Sequence, residues 1–139
     1  LNDVGSELSE IEAVTALTDV TGFGLMGHLL EVCEGSNVSA NINYNKVPIF
    51  KEIHSYLDKK CIPGGTLRNW DSYGHKLKIE DETQRHILFD PQTSGGLLIA
   101  VKKEAAQKVE SILRSKGLYA EPIGEIIERS ELPIYINEK

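Results

Sequence analysis

Apolar positions recur along this chain in two periods, one helical and one extended, with glycine-rich stretches between them. Ile11, Val14 and Leu17 fall at near-helical spacing behind Ser9-Glu10-Ile11-Glu12. That tetrad fits a capping box, with Ser9 as N-cap and Glu12 reaching back. The pattern predicts a short helix over 10–17. Another helix is predicted over 24–34, where Leu25, Met26, Leu29, Leu30 and Cys33 form a broad apolar stripe. Gly35-Ser36-Asn37 ends it. Val38, Ala40, Ile42 and Tyr44 then alternate with Ser39, Asn41 and Asn43, the period of a half-buried strand. Pro48 suits the first turn of a helix that carries Ile49, Phe50, Ile53, Tyr56 and Leu57 on one face and stops near Lys59-Lys60.

Residues 72–78 read as weakly structured, and 81–88 as a short helix with Ile87 and Leu88 inward. The run Leu97-Leu98-Ile99-Ala100-Val101 lacks alternation and fits a strand covered on both faces. Residues 104–116 form a helix through Ala105, Ala106, Val109, Ile112 and Leu113, with Gly117 as its C-terminal stop. Strands around 120–127 and 133–136 finish the chain, and Pro122 and Pro133 push them toward edges or strand starts. The class is α+β, with helices packed on a mixed β-sheet. The helix between Val101 and Ala120 is read as a ferredoxin-like crossover.

Length and composition narrow the classes. A chain of 139 residues is one domain, and its apolar share of 40% and charged share of 26% are those of an ordinary globular protein. A net charge of −6 argues against nucleic acid or an anionic membrane as the main partner. No apolar run approaches the ~18 residues of a membrane span, and no signal segment opens the chain, so a cytoplasmic protein is expected. Cys33 and Cys61 lack metal-ligand spacing and read as free thiols, Cys33 buried on its helix stripe. The chain starts with Leu1 rather than Met, as expected either after removal of an initiator with a leader or of a piece cut from a longer protein.

Candidate chemistry concentrates in three glycine loops. Thr18-Asp19-Val20-Thr21-Gly22-Phe23-Gly24-Leu25-Met26-Gly27-His28 packs three glycines, one carboxylate and two threonines into eleven residues. Gly22 and Gly24 permit backbone conformations barred to other residues and let N–H groups approach a ligand at the start of a helix. Asp19 stands where an oxygen ligand could hold a hard cation against phosphate oxygens. A phosphate-and-metal loop and a capped helix-to-helix turn both account for this stretch. The second loop, Pro63-Gly64-Gly65-Thr66 with Arg68, could present backbone donors and a positive charge to an anion, or be a surface turn. The third is Phe89-Asp90-Pro91-Gln92-Thr93-Ser94-Gly95-Gly96.

Taken together, these loops, the second of them with Arg68-Asn69, resemble the signatures of selenophosphate synthetase (selenide, water dikinase), in that family's order and spacing. The resemblance covers the chain from start to finish. It implies the fold of the C-terminal domain of aminoimidazole ribonucleotide synthetase-like proteins, so that 1–139 is the second domain of a longer two-domain enzyme. That family makes selenophosphate from selenide and ATP, leaving AMP and phosphate, and requires magnesium. By resemblance, Asp19 is the one metal-binding carboxylate supplied from this domain. Thr21, Gly22, Gly24, Thr93, Ser94 and Gly95 line the nucleotide cleft. The reactive Cys or selenocysteine, a neighbouring Lys and most metal-binding Asp residues belong to the N-terminal domain, so no catalytic residue is assigned within this chain. Its expected partners are its own N-terminal domain, ATP and selenide. The complete enzyme is expected to be a homodimer through its N-terminal domains, and this piece alone inactive and monomeric. Two other readings are a related ATP-dependent synthetase or hydrogenase maturation factor, and a non-catalytic binding or dimerisation module of the same fold. The wording Asp19-Val20-Thr21-Gly22-Phe23-Gly24 speaks against the former.

Overall fold

A computed structural model describes residues 2–138. The chain runs α1 (Val4–Ser9), β1 (Val14–Asp19), α2 (Gly24–Gly35), β2 (Val38–Asn43), α3 (Ile53–Asp58) and α4 (Gly64–Tyr73). It continues through β3 (Leu77–Lys78), α5 (Glu82–Leu88), β4 (Leu97–Val101), α6 (Ala106–Ser115), β5 (Gly124–Glu128) and β6 (Ile134–Asn137). Strands β1 and β4 pair antiparallel, with Leu17 opposite Ile99 and Asp19 opposite Leu97. The other strands form a mixed sheet in the order β3-β6-β2-β5. In it β2 is antiparallel to β5 and parallel to β6, which is in turn parallel to β3.

The larger core lies where α2 covers the mixed sheet. Met26, Leu29, Leu30 and Cys33 pack with Ala40, Ile42, Leu77 and Ile134, and α5 adds Leu88 with Phe89 behind it. A smaller cluster joins Val4 and Leu8 of α1 to Val109 of α6, over Val14, Leu97, Ile99 and Val101. The β1–β4 pair lies between the two, because Leu98 faces the larger core while its neighbours face the smaller one. This is the strand covered on both faces that the unbroken apolar run predicts. The α+β class, the mixed sheet, the helix from Gly24, the strand from Val38 and the short helix within 81–88 all stand as read, and Asp81 caps that last helix.

Several local expectations do not. The stretch 10–17 is not a helix: α1 ends at Ser9, whose hydroxyl donates back to Ser6 O, and β1 follows. Spacing alone fits either period here, and pairing decides. A helix at 10–17 would leave β4 without the backbone partner that β1 supplies, a cost no local capping signal offsets. Asp3, not Ser9, caps a helix here, accepting from Val4 N. The helix after Pro48 starts only at Ile53 and buries no residue fully, leaving Phe50 83% exposed. The second glycine stretch is the first turn of α4, and 72–78 is its last turn, a 3-10 turn and β3. Finally, α6 is no crossover within one sheet, since it joins β4 of the pair to β5 of the mixed sheet. Pro133 does precede its strand, but β6 is an inner strand rather than an edge.

Candidate functional site at the glycine loops

The three glycine stretches, far apart in sequence, fold into one cluster around the start of α2. Loop one (residues 20–24) and loop three (89–96) are stitched by backbone bonds. Val20 N donates to Gly96 O at 2.9 Å, Gly95 N to Val20 O at 3.1 Å, and Gln92 N to Thr21 O at 3.0 Å. The second stretch joins through side chains. Asn69 Nδ2 donates to Gly22 O at 2.9 Å and to Phe89 O at 3.0 Å, and Thr66 Oγ1 donates to Asp90 Oδ1 at 2.9 Å. Tyr73 Oη donates to Phe23 O.

Close approach explains two of the glycines. A Cβ on Gly24, whose φ is +69°, would lie 2.7 Å from the Phe89 carbonyl carbon, and one on Gly95 would lie 2.6 Å from Val20 O. Backbone cannot yield as a flexible side chain can, so the loops could not close over a larger residue. Both glycines spend their N–H groups on that closure, Gly24 N donating to Thr21 O. Gly22 differs. Space around it is open, and the N–H groups of Gly22 and Phe23 have no partner among the described residues.

The two aspartates part company. Asp90 is half-buried with both carboxylate oxygens engaged, Oδ1 by Thr66 and Oδ2 by Gln92 Nε2 at 2.9 Å. It ties the cluster together. Asp19, at the end of β1, is exposed, and its carboxylate has no hydrogen-bond or ion-pair partner among the described residues. Thr93 and Ser94 are exposed with unpartnered hydroxyls, and Thr21 Oγ1 lies 3.2 Å from His28 Nε2.

Sequence reasoning left three supporting residues unassigned. His28 is buried, and its Nε2 accepts the Thr21 N–H at 3.0 Å, which puts the ring proton on Nδ1. That Nδ1 faces Glu31 Oε2 at 3.5 Å without a formed hydrogen bond. Tyr73 has its phenol pushed up to about 12, chiefly by burial and secondarily by the negative charge of Glu31. It is therefore a neutral donor across the ordinary pH range. Asn69 is the third. A usable signal existed in the polar Thr66 and Asn69 at helical spacing with Trp70 and Tyr73, on the stripe where core residues belong.

As chemistry, the cluster offers a free carboxylate, free hydroxyls and outward N–H groups on an open surface. Two surface hollows, bordered by Asn41, Lys46 and Asn137 and by Glu80, Gln84 and Ile136, contain no glycine-loop residue. Among the described residues no group of three or more His, Cys, Asp or Glu side chains could hold a metal ion. No described helix is long and apolar enough to cross a membrane.

The fold is an α+β domain that carries its three glycine stretches in one cluster with exposed polar groups. The chain belongs to the family described as AIR synthase related protein, C-terminal domain, whose model matches residues 1–137. It is 52% identical over 130 residues to the selenide, water dikinase of Aeromonas hydrophila, covering 94% of this chain and 38% of that protein. To the selenide, water dikinase of Haemophilus influenzae it is 48% identical, covering 100% of this chain and 40% of that protein. The chain thus spans about two-fifths of the length of the curated relatives it matches. Among solved structures it is similar to E. coli HypE, a hydrogenase maturation protein, with a TM-score of 0.57 at 21% identity over 94% of this chain and 34% of that one. That likeness speaks for the fold alone.

Proposed function

We propose that this chain is the C-terminal part of a selenide, water dikinase and supplies one wall of its nucleotide-and-metal cleft. The observation that carries the reading is one loop that holds an Asp19 carboxylate and Gly22 and Phe23 N–H groups without partners among the described residues, in a chain about half identical to such dikinases. The parent enzyme makes selenophosphate from selenide and ATP, leaving AMP and phosphate. One exposed carboxylate fits one ligand position of a magnesium ion, which takes oxygen ligands and retains waters. The donor set here goes no further, because Asp90 is already spent inside the cluster. The other ligands come from the nucleotide phosphates and from carboxylates of the N-terminal domain. Magnesium, when bound, neutralises phosphate charge during transfer.

This chain's own residues bind and orient. Gly22 and Phe23 offer N–H groups to a phosphate oxygen, with the α2 dipole behind them. Thr21, Thr93 and Ser94 add hydroxyls along the cleft, while Gly24 and Gly95 set its shape. The reading carries a cytoplasmic location, where ATP is at hand, and a complete enzyme that is a homodimer through its N-terminal domains.

The test is Asp19→Asn in the complete enzyme. The amide keeps the size and one oxygen but removes the charge. Turnover at limiting magnesium is expected to fall by at least about tenfold, or ~1.4 kcal/mol of transition-state stabilisation. The melting temperature should hardly move, since an exposed loop carboxylate contributes little to stability. Near-normal activity at limiting magnesium, in a normally melting protein, would remove the metal role from Asp19.

A further inference from the structure

Asn69 lies on the inward stripe of α4, 9% exposed, and its amide nitrogen spans two loops. An amide NH2 has two hydrogens, and here both are used, one on Gly22 O and one on Phe89 O. The bond to Gly22 O has a consequence one atom further along. A trans peptide unit holds its C=O and the following N–H in one plane, pointing in opposite directions. The chain has no cis peptide bond among the described residues. Drawing Gly22 O inward therefore turns the Phe23 N–H outward. The neighbouring unit behaves the same way. Thr21 O is held inward by Gln92 N and Gly24 N, which turns the Gly22 N–H out. Both outward N–H groups are the unpartnered ones.

We infer that Asn69 is a positioning residue that aims the Phe23 amide at the anionic ligand and locks loop one to loop three. Its link to turnover rests on the dikinase reading, but its hold on the loops does not. Without the amide, Gly22 O has no inward donor and the Gly22–Phe23 peptide plane is free to rotate. An aspartate at the same position is nearly isosteric but donates nothing when ionised, and sets a carboxylate against two carbonyl oxygens.

The experiment uses the complete enzyme with Asn69→Ala and Asn69→Asp. Ser39→Ala serves as a control: this buried hydroxyl donates to Leu132 O and accepts from Ser130 N in the mixed sheet. Hydrogen exchange over residues 20–24 and 89–96 is expected to quicken in both Asn69 variants and to stay at the parent rate in Ser39→Ala. The turnover number should fall tenfold or more, and KM for ATP should rise severalfold, at a temperature where all variants are folded. Asn69→Ala combined with Asp19→Asn should lose less than the product of the two separate losses, since both act on one ligand. Unchanged exchange in both loops would overturn the clamp. Kinetics within twofold of Ser39→Ala, or losses that simply multiply, would overturn its role in positioning. If the unsubstituted parent makes no selenophosphate, the dikinase reading fails instead, and the exchange rates still decide whether Asn69 holds the loops.

Discussion

At the scale of single residues, partnering separates side chains that share a chemistry. Asp19 and Asp90 both sit at glycine loops, yet Asp90 has both oxygens engaged inside the cluster and Asp19 has no partner among the described residues. A carboxylate already bonded through both oxygens is a poor candidate ligand, because each bond must be broken and the donors left unpaired. The same logic makes Tyr73 a brace, its phenol donating to Phe23 O. Its raised pKa has a definite sign. The unfolded chain releases this proton near the ordinary tyrosine value and the folded chain only at about 12, so between the two the native state holds more protons. Stability contributed by this group is fully present below about pH 10 and is lost as pH rises through the folded value. Urea unfolding from pH 9 upward is expected to show falling stability, and Tyr73→Phe to flatten part of that slope. Burial also raises Cys33, Tyr44 and Tyr119, and the hydrogen bond to Glu7 raises Lys116, all in the same direction, so the remaining slope is shared among them. A slope identical in Tyr73→Phe would show that this phenol is not held neutral by the fold.

At the scale of elements, α4 is held by aromatic packing as well as by its polar contacts. Phe89 is fully buried, edge-on to Trp70 at 5.1 Å and stacked on Tyr73 at 5.2 Å. The Arg85 guanidinium covers the Trp70 ring at 4.8 Å while its Nε and Nη2 donate to Ile79 O and Glu80 O. This packing brings Thr66 and Asn69 to the loops. Phe89→Ala should cost about 3–5 kcal/mol by chemical unfolding, the usual range for an aromatic removed from a core. Phe50→Ala, removing a ring that is 83% exposed, should stay within about 0.5 kcal/mol. Equal effects of the two would mean that the aromatic group does not anchor α4.

At the scale of the whole molecule, Asp19, Gly22, Phe23, Thr93 and Ser94 of the loops lie exposed at the surface, and the chain spans about two-fifths of its relatives' length. Phosphoryl transfer depends on positioning and charge stabilisation from several sides of the nucleotide. A chain that supplies one wall of the cleft, as proposed, cannot provide that alone. This chain by itself, given ATP, magnesium and selenide, is therefore expected to form no selenophosphate detectable by phosphorus NMR. Its complete parent should form it under the same conditions. Product from the isolated chain above the uncatalysed background would show that the partial-enzyme reading is wrong.

The sequence by itself determined the parts whose cause is local. The helix from Gly24, the strand from Val38, the capped helix after Asp81 and the stop at Gly117 follow from apolar period, capping and a left-handed glycine. The glycine motifs, with Asp19 among them, were legible as candidate chemistry through their joint resemblance to one family's signatures, since each loop alone also reads as a turn. Tertiary structure decided what depends on distant partners. Residues 14–19 became a strand because β4 needed a neighbour, and the second glycine stretch became a helix start because Thr66 and Asn69 face the other loops. The division of labour between Asp19 and Asp90 was likewise invisible in one dimension. Both are acids beside glycines, and only the folded chain brings Thr66 and Gln92 to one of them and leaves the other facing water.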